Sequence, residues 1–166
     1  DLAYGESERD TLDLFSGGNS NGPLLVYIHG GYWQRGDKAM YGFVSEGFVK
    51  HGVSVAVMNY NLTPSVRLGQ IPPQIRKCIA WLWHNADDLG FQREQIFVMG
   101  HSAGGHLTAM MMATDWPTFD TSLPIDLIRG GVPVSGLFEL EPLVHTTINN
   151  GPQMTIPEAI EESPLF

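Results

Sequence analysis

The residues best suited to covalent chemistry are Gly100-His101-Ser102-Ala103-Gly104. A serine hydroxyl is a weak nucleophile, so a protein that uses one must hold it exposed, unhindered and close to a base. A sharp turn from strand to helix achieves the first two, and glycines on both sides of the serine remove side chains that would collide across it. The flanks of Ser102 fit that turn. The apolar run Gln95-Ile96-Phe97-Val98-Met99 leads into Gly100, and a helical stretch opens with Ala103-Gly104-Gly105. A helix N-terminus under the reaction centre also favours developing negative charge. In a chain with 19 glycines the pattern alone could be accidental, and the strand before it and helix after it argue otherwise.

A second string, His29-Gly30-Gly31-Tyr32-Trp33, follows the apolar run Leu24 to Ile28. Glycine lets the backbone come close to a substrate carbonyl and take positive φ. The amides of Gly30 and Gly31, joined by that of Ala103, are therefore expected to form an oxyanion hole. Each such donor supplies about 3 kcal/mol of transition-state stabilisation. On its own the string reads equally well as an ordinary turn. Its position ahead of the Ser102 turn makes the two motifs support each other. His29 is expected to hydrogen-bond within the loop and not to act as the base.

These residues need a frame to hold them. Leu24 to Ile28, Val53 to Met58 and Gln95 to Met99 are unbroken apolar runs, the pattern of strands buried on both faces of a parallel sheet. Gly131 to Gly136 is a weaker fourth run, because Pro133 removes one ladder donor. Ile71, Ile75, Ile79, Leu82, Ala86 and Leu89 recur at spacings of three and four, which predicts one helix with Pro72 and Pro73 in its first turn and Gly90 at its cap. A second helix is predicted over Lys38 to Lys50, ending at Gly52, and a third from Ser102 through Met112. Strand and helix in alternation predict an α/β fold: a doubly wound, mostly parallel sheet in one domain spanning residues 1–166. The last twenty or so residues read as an irregular cap with little core of its own.

Composition narrows the function. With 9 Lys+Arg against 18 Asp+Glu the formal charge is −9, and no basic cluster exists to meet nucleic acid or an anionic membrane surface. The longest apolar runs are too short to span a bilayer. Cys78, the one cysteine, cannot form an internal disulfide and reads as a small core residue. His101 and His106, five apart, do not match the spacing of a helical zinc pair, so neither a metal nor a cofactor is expected. The first residues carry no signal-peptide pattern, and a cytoplasmic location is expected. The missing initiator Met suggests an excerpt of a longer protein.

Taken together, His29-Gly30-Gly31-Tyr32-Trp33 and Gly100-His101-Ser102-Ala103-Gly104-Gly105-His106-Leu107 resemble the kynurenine formamidase (arylformamidase) branch of the α/β-hydrolases. Tyr4-Gly5, Leu12 to Phe15, Tyr60-Asn61-Leu62-Thr63-Pro64, Ser135 to Leu143 and Ser163-Pro164-Leu165 extend the resemblance over nearly the whole chain. The string with Tyr32 is the most discriminating, since broader esterase relatives carry a third glycine there. The resemblance implies metal-free hydrolysis of N-formyl-L-kynurenine to kynurenine and formate. Ser102 would attack the formyl carbon, with the oxyanion against Gly30, Gly31 and Ala103. Tyr32 and Trp33 would line the pocket for an aromatic substrate, or else pack as a loop over the core. The expected partner is a small aryl formamide or ester, with a second copy of the chain as the only further one, in a homodimer. A carboxylesterase and a non-catalytic binding protein of the same fold are the alternatives.

The acid and base are harder to find. In this fold they follow the serine in the order Asp or Glu, then His. After Ser102 the histidines are His106, in a structural position of the family, and His145, with Glu139 or Glu141 nearby as an acid. The expectation is that the triad partners lie beyond Phe166, that the fold lacks its last strands, and that the chain alone is inactive. It also follows that the Gly131 to Gly136 strand forms a sheet edge.

Overall fold

The computed structural model describes residues 1–166. Six strands form one sheet: β1 (Leu2–Ala3), β2 (Thr11–Phe15), β3 (Leu24–Ile28), β4 (Ser54–Met58), β5 (Ile96–His101) and β6 (Ile128–Val134), in the order β1-β2-β4-β3-β5-β6. The four strands from β4 to β6 are parallel, and β2 joins β4 antiparallel. β3 and β4 occupy the centre and every one of their residues is buried, which is why they read as continuous apolar runs. Leu24, Val26, Ile28, Ala56, Met58, Ile96 and Val98 face the main core, under α1 (Ile71–His84) and α3 (Ala103–Met112). Their neighbours Leu25, Tyr27, Val55 and Val57 face the opposite side, under Tyr41, Val44, Phe48 and Val49.

β6 pairs only with β5 and is the edge the sequence predicts. That position accommodates Pro133, whose missing donor faces no further strand. The strand starts at Ile128 and stops at Val134, one residue before Ser135 turns at φ 49°. β1 and β2 were not expected as strands, because a two-residue edge strand and a short antiparallel neighbour bury too few residues to leave a clear pattern; Leu12 alone is fully buried in β2.

Two helical expectations need correction. Lys38 to Lys50 is not an α-helix but three 3₁₀ turns, Lys38–Met40, Gly42–Gly47 and Val49–His51. Gly42, Gly47 and the β-branched Val44 and Val49 weaken an α-helix there. Gly52 does end the stretch, at φ 81°. The predicted helix from Ile71 to Leu89 is interrupted at Asn85, whose side-chain amide donates to the Trp81 carbonyl at 2.7 Å, before the short α2 (Ala86–Leu89). Gly90 then caps it in the left-handed region at φ 74°. α4 (Trp116–Phe119) follows α3, and α5 (Ile156–Glu161) lies in the C-terminal segment. That segment carries more order than expected: Thr155 and Glu158 form a capping box for α5, and Ala159 is fully buried. No helix is long and apolar enough to cross a membrane.

Candidate active site

β5 ends at His101, and the chain reverses into α3 through Ser102, at φ 57° and ψ −119°. A non-glycine residue in that region costs about 1–3 kcal/mol and persists only where its surroundings fix it. Here the Ser102 amide donates to the Val134 carbonyl at 2.9 Å, so the end of β6 pins the turn. The Ser102 carbonyl in turn accepts from the His106 amide at 3.0 Å, as the first bond of the helix. Close backbone packing explains the glycine at 104: a Cβ there would lie 2.0 Å from the Ile28 carbonyl oxygen. Only glycine lets α3 start directly against the end of β3. The serine itself is partly exposed between two buried neighbours in space, Gly30 and Ala103.

The loop after β3 meets this turn. A Cβ on Gly30 would stand 2.5 Å from the His101 carbonyl oxygen and 3.4 Å from the Ser102 Cβ. The structure therefore brings the two predicted motifs into contact. Gly31, Tyr32 and Trp33 follow with φ values of 119°, 56° and 59°. The Gly31 carbonyl accepts from the amides of Gln34 and Arg35, at 3.0 and 3.1 Å, which closes the turn. No acceptor within the protein takes the amides of Gly30 or Gly31. Ala103 is the first residue of α3, so its amide has no acceptor within that helix. Free donors beside a partly exposed serine are what an oxyanion site requires.

Side chains brace the loop. His29 is buried and stacked between Tyr60 and Tyr41, with ring centroids 4.3 and 5.8 Å away. Its Nδ1 donates to the Gly30 carbonyl at 2.9 Å, and its own carbonyl accepts from the Tyr60 hydroxyl at 2.7 Å. Burial lowers the His29 pKa to about 4, against smaller raising effects that include the Gly30 bond. The ring is thus neutral at pH 7, and its Nε2 is buried without a partner. It holds the loop, as expected, and does not reach the serine hydroxyl.

Trp33 takes the packed alternative. Its side chain is 0% exposed, and its indole N–H donates to His106 Nδ1 at 3.1 Å. A buried indole needs an acceptor for that proton, and His106, on the first turn of α3, supplies one. His106 Nε2 donates onward to the Glu162 carbonyl at 2.7 Å, and burial holds its pKa down at about 4. One neutral imidazole therefore ties together the loop, the serine helix and the C-terminal segment. The Trp33 carbonyl accepts from the amide and hydroxyl of Thr63, at 2.8 and 3.2 Å. Tyr32 points the other way. It is 40% exposed and lines an open pocket of about 370 Å³ with Gln34, Arg35, Thr147 and Ile148.

His106 has the structural role expected of it, and the sequence reading missed the bracing roles of Tyr60 and Thr63. The string Tyr60-Asn61-Leu62-Thr63-Pro64 was their only signal, and it lies far along the chain from the loop it supports. His145 is exposed at the end of the 3₁₀ turn Glu141–His145, and the Ser102 side chain makes no capping hydrogen bond at its helix. Cys78 is buried with its thiol pKa raised well above the ordinary value by desolvation, which fits the core role and not a nucleophile.

The BD-FAE family model matches residues 12–127. The chain belongs to the BD-FAE family. It is 33% identical over 166 residues to a kynurenine formamidase of Danio rerio, covering 99% of this chain and 54% of that protein. The chain therefore spans about half the length of that relative. Among solved structures, a Silicibacter sp. TM1040 protein described as a thioesterase aligns with a TM-score of 0.86 at 36% identity, over 99% of this chain and 59% of that one. Esterase 2 of Thermogutta terrifontis aligns at 0.74 and 19% identity, over 98% of this chain and 65% of its own, and shows the shared fold. The fold is that of an α/β-hydrolase.

Proposed function

We propose that the protein is a serine hydrolase of the arylformamidase type, which converts N-formyl-L-kynurenine to kynurenine and formate. The observation that carries this reading is the meeting of the strained Ser102 turn with the Gly30-Gly31 loop, whose amides have no internal acceptor. The similarity to a kynurenine formamidase along 99% of the chain supports the substrate class.

In this reading the Ser102 hydroxyl attacks the formyl carbon and gives its proton to a general base. The carbonyl oxygen becomes an oxyanion that accepts from the amides of Gly30, Gly31 and Ala103. Collapse breaks the C–N bond, and the aryl amine leaves with the proton that the base returns. Water, deprotonated by the same base, then hydrolyses the formyl-serine to formate and free enzyme. The histidines braced near the site are occupied: His29 and His106 are neutral and buried, and both hold structure. We assign the acid and base to residues outside these 166, in keeping with a chain that spans 54% of its kynurenine formamidase relative.

The test compares kcat/KM of the full-length protein on N-formyl-L-kynurenine and on a short aryl ester. A formamidase favours the former, and a much higher value on the ester would replace this reading with a carboxylesterase. The 166-residue chain alone is expected to turn over neither. Robust turnover by it, abolished by His145→Ala, would overturn the assignment of the acid and base.

A further inference from the structure

The chain carries 9 Lys+Arg, and seven of them have a side-chain partner: Asp or Glu for six, and the Thr114 hydroxyl for Arg76. Arg35 and Lys50 have none. Lys50 precedes β4, and so lies toward the edge of the sheet opposite the strand ends that present Ser102. Arg35 lies on the catalytic edge. In a protein with 18 carboxylates and a net charge of −9, no carboxylate of its own reaches that guanidinium.

The surroundings of Arg35 are arranged. Its guanidinium sits over the Tyr32 ring, 5.6 Å from the centroid, which leaves the edge of the group and its N–H donors free. Both residues line the 370 Å³ pocket. Across it, Gln34 fixes the far wall by donating to the Ile148 carbonyl at 2.9 Å. Arg35 itself packs against the oxyanion loop, since a Cβ on Gly31 would meet the Arg35 carbonyl and lie 3.1 Å from its Cγ.

We propose that Arg35, over Tyr32, forms a subsite for a carboxylate borne by the substrate, on the side away from the scissile bond. This rests on the hydrolase reading above and narrows it to aryl amides or esters that carry an acidic side chain. N-formyl-L-kynurenine, with its α-carboxylate, is one. A guanidinium edge pairs with a carboxylate through two parallel hydrogen bonds, which an uncharged analogue cannot supply.

The experiment measures a ratio in the full-length protein and in Arg35→Gln. Kinetics on N-formyl-L-kynurenine and on formanilide give the preference for the carboxylated formamide, and a pair of aryl acetates with and without a ring-borne carboxylate gives it for esters. The Kd values of an unreactive aryl carboxylate and its amide give the same preference without turnover. Arg35→Gln is expected to reduce the preference about tenfold, largely through KM, with Arg35→Lys restoring part of it. An unchanged ratio, with or without a common fall in rate, would overturn the subsite. Failure of the formamidase reading looks different: the wild type would leave both formamides intact, and the ester or binding pair would still give the ratio.

Discussion

The Ser102 turn and the loop facing it do one job by different physical means. The turn is held by backbone: Ser102 bonds to Val134, and α3 packs against Ile28 so closely that residue 104 has no room for a side chain. The loop is held by side chains. Three successive residues at positive φ are fixed by His29 between two tyrosines and by Trp33 latched to His106 and Thr63. A backbone device tolerates almost no change at its glycines but asks little of its other neighbours. A side-chain device spreads the same task over residues far apart in sequence, and each of them can be weakened by degrees.

Substitutions can break or sharpen that contrast. The largest effect is expected from Trp33→Ala, which empties a fully buried site and orphans the His106 acceptor; denaturant unfolding of the full-length protein should show a loss of about 3–5 kcal/mol. Trp33→Phe keeps most of the volume and removes the N–H, so a loss of about 1–2 kcal/mol is expected for that variant. If the two variants fell equally, the hydrogen bond and not the packing would carry the loop. Gly104→Ala tests the backbone device, and about 3 kcal/mol is expected because the added methyl meets the carbonyl of a central strand.

The pH dependence tests the two buried rings of the side-chain device together. His29 and His106 have pKa values of about 4 in the folded protein, below the ordinary 6.5, so the unfolded chain binds more protons in that interval. Stability conferred by the two neutral rings is full above pH 6.5 and is lost as the pH falls toward 4, by up to about 1.4 kcal/mol per pH unit for each ring. His106→Asn should reduce this slope by about one proton, as read from melts across that range. Thr63→Val is the smallest change: it removes the 3.2 Å bond to the Trp33 carbonyl but not the backbone bond beside it, and about 1 kcal/mol is expected.

The same contrast explains what could be read from the sequence. The Ser102 turn was legible because its requirements are local, with glycines and flanking strand and helix all within a few residues. The central strands were legible for a similar reason: β3 and β4 are buried on both faces and so are apolar throughout. For the loop, His29-Gly30-Gly31 was legible but its supports were not. Trp33 and His106 are 73 positions apart, and no periodicity joins them. An aromatic beside paired glycines suits a pocket wall or a core equally, and the structure gives Tyr32 to the first and Trp33 to the second. The stretch from Lys38 to Lys50 misled because apolar spacing near three fits 3₁₀ turns as well as an α-helix.

The central claim is that Ser102 is the nucleophile, and its most direct measurement is labelling of the full-length protein by a fluorophosphonate probe, read by mass spectrometry of the peptide containing residue 102. The account predicts one adduct per chain on Ser102, absent from Ser102→Ala. No adduct in the wild type, or an adduct that survives the substitution, would contradict it.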